Sequence, residues 1–106
     1  MVSIETFRQL ALSFPETLEQ PHFDKTSFRI KKKIFATLSI DKKEAVLKLS
    51  PIDQSVFCTI DSTMIAPVNG GWGRQGWTKV ELSKIKKALL KDALSCAYSQ
   101  VAPKTT

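Results

Sequence analysis

"KTSFRIKKKIFATLSIDKKEAVLKLS", Lys25 to Ser50, changes character at every second residue. Thr26, Phe28 and Ile30 alternate with Lys25, Ser27 and Arg29. Ile34, Ala36, Leu38 and Ile40 then alternate with Phe35, Thr37 and Ser39, and Ala45, Leu47 and Leu49 with Val46 and Lys48. Successive side chains of a strand point to opposite faces, so this pattern predicts three half-buried strands. The joints are Lys31–Lys33 and Asp41–Lys43, and connections that short make neighbouring strands antiparallel. Both tips are basic. Lysines there would meet a polyanion, and they would equally keep sheet edges from pairing with other chains.

The flanks read as helices. Before the strands, Ile4, Phe7, Leu10, Ala11 and Phe14 recur at helical spacing, with Ser3 as cap and Pro15 as stop. "PETLEQPHFD" then reads as an irregular connection with two prolines. After the strands, Ser50 caps a short helix with Pro51 at its first position and Asp53 three residues past the cap. Ile52, Val56 and Phe57 are its expected buried face. "STMIAPV" predicts an edge strand, since Pro67 suits an edge, and "WTKVEL" predicts the last strand. Ser83 is the expected cap of a long final helix with the stripe Ile85, Leu89, Ala93, Cys96, Ala97 and Val101. "APKTT" is its frayed tail.

The expected order is α-β-β-β-α-β-β-α in one domain over residues 1–106. It describes an α+β fold, a two-layer sandwich with an antiparallel sheet and the terminal helices on one face. Hydrophobic residues at 42% and charged residues at 25% are ordinary globular values. No run approaches the 18 or so apolar residues of a membrane helix. The N-terminus "MVSIETFRQLALSF" lacks a basic start followed by an apolar block, so it does not read as a signal peptide. A cytoplasmic, monomeric protein with reduced Cys58 and Cys96 is expected.

The net charge is +6, and it is uneven. Residues 1–24 are slightly acidic, whereas 25–48 and 74–91 are lysine-rich. Clustered positive charge attracts polyanions such as DNA, and it also makes a soluble surface. In the last segment Lys84, Lys86 and Lys87 fall in the expected first helical turn, where the helix dipole disfavours cations. Lys84, Lys87 and Lys91 would share one helical face.

"NGGWGRQGWTKVEL", Asn69 to Leu82, holds all four glycines and both tryptophans of the chain. The glycines, with Asn69, are expected to turn the chain at positive φ. Trp77 should pack on the core or line a pocket, and Trp72 should stand partly exposed beside Arg74. A packing role and a stacking role for a planar or anionic ligand both fit these residues. The segment lacks the Lys-Ser/Thr ending of a phosphate loop and leads into a strand. No GxSxG or HExxH motif occurs either. His22, beside Asp24, is the lone histidine, and no nucleophile motif accompanies it. No catalytic residue, metal ligand set or cofactor is assigned.

Taken together, "FPETLEQPHFDKTSFRIKKKIFATL", "LKLSPIDQ", "WGRQGWTKVEL" and the closing "YSQVAPK" resemble the MmcQ/YjbR family of small bacterial proteins. The resemblance implies a fold similar to the frataxin-like (CyaY-like) proteins and carries that family's common label, DNA-binding. It brings no catalytic residues. Relatives often have glycine in the first hairpin turn, where this chain has Lys31 and Lys32, which suggests a looser loop. A frataxin-like iron role would want an acidic surface, and residues 1–24 hold few carboxylates.

The leading expectation is thus a non-enzymatic module that binds nucleic acid through phosphate contacts. Lys31, Lys32, Lys33, Arg74, Lys79, Lys84, Lys87 and Lys91 are its candidate contacts. The alternative is a protein-interaction or ligand-binding domain with a pocket around His22, Trp72, Arg74 and Trp77.

Overall fold

Six strands form one antiparallel sheet with helices at both ends of the chain. The computed structural model describes residues 2–22 and 25–102, with His22 described by its backbone only. The elements are α1 (Ile4–Leu12), β1 (Thr17–His22), β2 (Lys25–Ile30), β3 (Lys33–Ser39), β4 (Glu44–Lys48), α2 (Pro51–Cys58), β5 (Ile65–Pro67), α3 (Gly71–Arg74), β6 (Trp77–Glu81) and α4 (Lys87–Val101). The strand order is β1-β2-β3-β4-β6-β5, and every neighbouring pair is antiparallel. The α+β sandwich is therefore as expected, and β5 lies at an edge.

One strand was hidden. Thr17–His22, expected as irregular chain, pairs along the whole of β2. Pro21 is admissible there because β1 is the opposite edge of the sheet, and an edge strand leaves half its N–H groups without a ladder partner.

The helix caps hold. The hydroxyl of Ser3 accepts from the Thr6 N–H, and that of Ser50 accepts from the Asp53 N–H, each at 3.1 Å. The Ser83 cap does not hold. Leu82 and Ile85 are both fully buried, and the Ile85 N–H closes a turn on the Glu81 carbonyl. The helix starts only at Lys87, after an extended Lys86. Lys84 and Lys86 thus precede the helix, and Lys87 alone opens it.

The core lies between the sheet and α1 with α4. Phe7 of α1 meets Phe28 of β2 edge-on, with ring centroids 5.5 Å apart. Phe14 stacks on Tyr98 of α4, and Phe35 of β3 meets both edge-on. The Tyr98 hydroxyl donates to the Pro15 carbonyl at 2.8 Å, tying the two terminal helices together. On α4 the fully buried residues are Leu90, Ala93, Leu94 and Ala97. The expected stripe is rotated, and Leu89 sits half-buried on its flank. The face of α2 is rotated too. Phe57 and Cys58 turn inward, and Ile52 and Val56 are left exposed.

Arg8 fastens α1 to β1. Its Nε and Nη2 donate to the two carboxylate oxygens of Glu19 at 2.9 and 2.7 Å, and Nη1 donates to Glu5 at 2.8 Å. The guanidinium holds the Glu19 carboxyl below its ordinary value of 4.5, chiefly through these hydrogen bonds.

Two measurements check this packing. Leu90→Ala or Leu94→Ala should cost about 2–5 kcal/mol in a denaturant melt, and Leu89→Ala clearly less. Glu19 has a depressed folded-state pKa, so its contribution is present above the unfolded value and is lost as pH falls through the folded one. The melting-temperature gap between the wild type and Glu19→Gln should be widest near neutral pH and close below the ordinary value of 4.5.

Candidate binding site on the open sheet face

The helices cover one face of the sheet, and a bulge decides what the other face carries. Phe28 pairs with Ala36, but the next residue, Arg29, pairs with Ile34. Phe35 is the extra residue, and both Phe35 and Ala36 are buried in the core. Simple alternation had put Ile34 on the core side. The bulge moves it to the open face beside Arg29 and Leu18. Directly paired residues share a face, so a row runs across the open side from Gln20 through Ser27, Thr37, Val46 and Lys79 to Ala66. Arg29 lies along this face and donates to the Ser27 hydroxyl at 2.9 Å.

The glycine segment delivers the indoles to one end of this face. Gly70 and Gly76 take φ of 81° and 105°, while Gly71 and Gly73 lie in the single-turn helix α3. Asn69 does not share the left-handed role expected of it. Gly73 and Gly76 are needed for contact as well. A Cβ on Gly73 would overlap the Val68 carbonyl, and one on Gly76 the Leu49 carbonyl. Gln54 of α2 fixes the loop from the far side. Its Nε2 lies 2.9 Å from the Gly73 carbonyl oxygen, 3.2 Å from that of Trp77 and 3.1 Å from the Thr78 hydroxyl. On the open side the Lys48 ammonium donates to the Gln75 carbonyl.

Because the segment turns, Trp72 and Trp77 come together instead of diverging. Their rings stand 6.5 Å apart at 72°, forming a corner. Trp77 is half-buried and lines the open face, whereas Trp72 is 63% exposed. The cation at the corner is Lys48, 5.8 Å from the Trp77 ring centre, whereas Arg74 had been expected beside Trp72. Arg74 is exposed at the end of α3. Below the corner lies a trough of about 380 Å³ whose floor is Ile34, Thr37, Val46 and Val68, with Lys25 at its side. Among the described residues this lining brings no imidazole or carboxylate to the hydroxyl of Thr37. The side chain of His22, the fourth member of the expected pocket, lies outside the described residues, as do Asp24 and residues 103–106 of the tail. The backbone pairing of His22 with Lys25 puts it at the end of β1 away from the indoles.

The eight expected phosphate contacts divide. Lys31, Lys32 and Lys33 form the β2–β3 tip at the indole end, where Arg74 also lies. The tip is tight rather than loose. Ile30 pairs with Lys33, and Lys31 and Lys32 both adopt left-handed φ, 48° and 71°. That is a two-residue turn of the kind glycine and asparagine usually fill. Lys79 faces the open side at mid-sheet. Lys84 and Lys87 follow Leu82 at the opposite end of the sheet, about 20 Å away by the rise of seven-residue β3. Lys91 lies one helical turn further along α4, in the helix layer. Among the described residues the ion pairs are those of Arg8, and no described carboxylate lies within 4 Å of a lysine of the open face. Burial pushes up the thiols of both free cysteines, Cys58 and Cys96, which matches a packing role.

The chain belongs to the YjbR family, whose model matches residues 12–100. No curated protein matches it. Among solved structures, the crystal structure of Deinococcus radiodurans protein DR2400, described as a DUF419 domain, is similar at a TM-score of 0.84 and 22% identity. The match covers 98% of this chain and 81% of that one. At that identity the likeness speaks for the fold.

The loop geometry gives a paired expectation. Gly76→Ala, at positive φ and against a carbonyl, should destabilise by about 1–3 kcal/mol or more. Gly71→Ala, which meets open space inside a helical turn, should be neutral to slightly stabilising in the same melt.

Proposed function

We propose that this YjbR-family chain is a non-enzymatic, cytoplasmic binding module whose open sheet face holds single-stranded nucleic acid. The observation that carries this reading is the indole corner. Trp72 stands on a loop anchored by Gln54 and Lys48 yet remains 63% exposed, above an apolar trough with Lys25 and Lys48 at its margins. A large exposed aromatic on a fixed loop contributes little to folding, and it presents a surface on which a planar ring can stack. Sequence-tolerant binders of single strands combine such platforms with cations that follow the backbone, and each stacked base contributes about 1–3 kcal/mol. Here Lys79 continues the cationic margin across the sheet, and Lys31, Lys32, Lys33 and Arg74 extend it at the indole end. Lys84, Lys87 and Lys91 belong to a separate patch and are not needed for a strand that crosses the open face.

Duplex binding is less well served. The longest helix, α4, packs its apolar side on the sheet, and its only cations, Lys87 and Lys91, span a single turn at its start. A small planar ligand in the trough is the second reading, favoured by the trough's volume and apolar floor.

Tryptophan fluorescence titrated with short single-stranded and duplex DNA, at low and moderate salt, separates these readings. Single strands should bind more tightly than duplex, with affinity falling as salt rises. Trp72→Ala should lose about 1–3 kcal/mol of binding while the melting temperature stays put. Absence of binding to either DNA at low salt would overturn the nucleic-acid reading. Salt-insensitive binding of small planar molecules alone would replace it with the second.

A further inference from the structure

The trough has a polar neighbour. A hollow of about 210 Å³ on the same face shares Lys25, Val46 and Val68 with it and adds Glu44, Asn69 and Lys79. The two hollows are therefore joined along a common wall, one mainly apolar and aromatic, the other mixed, with two amines, a carboxylate and an amide beside Val46, Pro67 and Val68. That division matches the parts of one nucleotide. A base belongs against the indoles, and its sugar and phosphate must then extend into the polar part. The amines of Lys25 and Lys79 can donate to phosphate oxygens.

Glu44 is the residue that discriminates. A carboxylate repels a phosphate and only accepts hydrogen bonds. It also lies opposite Glu81 in the β4–β6 register, a like-charged pair that any further anion would worsen. What suits Glu44 is a neutral donor. A ribose offers one in its 2′-hydroxyl, and a deoxyribose offers none. Asn69 lies at the other end of the hollow, beyond the Val68–Trp77 pairing, where its amide can donate to a phosphate or sugar oxygen nearer the indoles.

We infer that the open face reads the sugar as well as the stacked base, with the Glu44 carboxylate accepting from a ribose 2′-hydroxyl and Lys25 and Lys79 holding the adjoining phosphate, so that its ligand is single-stranded RNA in preference to DNA. The inference rests on the proposed single-strand binding and refines it.

The test compares three oligonucleotides of one sequence, with ribose, deoxyribose and 2′-O-methylribose, on the wild type and on Glu44→Ala. The wild type should favour the ribose strand about tenfold or more, the effect of a hydrogen bond to a charged group. The 2′-O-methyl strand, which lacks the donor, should bind like DNA. Glu44→Ala should bind all three alike, with DNA affinity equal to or above that of the wild type. Equal wild-type binding of ribose and deoxyribose strands would overturn the sugar readout and leave single-strand binding standing. A ribose preference that survives in Glu44→Ala would overturn the role of Glu44. Failure of all three strands to bind at low salt would remove the underlying reading as well.

Discussion

The backbone of Gly76 lies against the carbonyl of Leu49, so close that no side chain fits between them, and the Leu49 N–H donates to the Gly76 carbonyl at 2.9 Å. Gly73 packs in the same way on the Val68 carbonyl. These two contacts press the α3 loop onto the end of β4 and the exit of β5. Everything distinctive about the open face depends on them. With the loop seated, Gln54 can reach its carbonyl groups from α2, Lys48 can reach Gln75, and the two indoles meet at a fixed corner. A side chain at either glycine would lift the loop and separate the tryptophans.

The second determinant is that one layer of helices covers one side of six strands. Core burial is spent on that side, where Phe7, Phe28, Phe35, Leu47, Leu90 and Leu94 are all fully buried. The bulge at Phe35 sharpens this asymmetry by giving the core one more aromatic and passing Ile34 to the open side. The open face is left with Ile34, Val46 and Trp77 on its floor and lysines at its margin. An apolar trough beside an exposed indole is the surface on which the proposed binding would take place. The strained Lys31–Lys32 turn agrees with that view. Left-handed backbone at two successive lysines costs about 1–2 kcal/mol each where glycine would cost nothing, and it places two cations at the indole end.

Much of this fold was legible in the residues, and the exceptions share a cause. Strict alternation identified β2, β4 and β6, and Ser3 and Ser50 announced their helices. What escaped was whatever depends on neighbours rather than on local period. The prolines concealed β1 because propensity cannot know that a strand will lie at an edge. The bulge reversed Ile34 because a period carries no information on an inserted residue. The phase of α4 slipped by one residue because Leu89 and Leu90 both suit an apolar stripe, and tertiary packing chose Leu90. Lysine spacing suggested one cationic surface, whereas antiparallel connection sent Lys31–Lys33 and Lys84–Lys87 to opposite ends of the sheet. On the open face, the glycine and tryptophan content of one segment singled out the loop that forms the indole corner. The cation at the corner, Lys48 over Trp77, was not legible, since only the β4–β6 register brings those two residues together.

The central claim is one of location, that ligand binding occurs on the open face at the indole corner. Proton–nitrogen correlation spectra recorded while a short single-stranded oligonucleotide is added test it most directly. The account predicts shifts at the indole N–H groups of Trp72 and Trp77 and at the amides of Thr37, Val46 and Lys79, with Ala93 and Ala97 beneath the other face unmoved. Shifts confined to Lys84, Lys87, Lys91 and their neighbours, with both indoles silent, would contradict it.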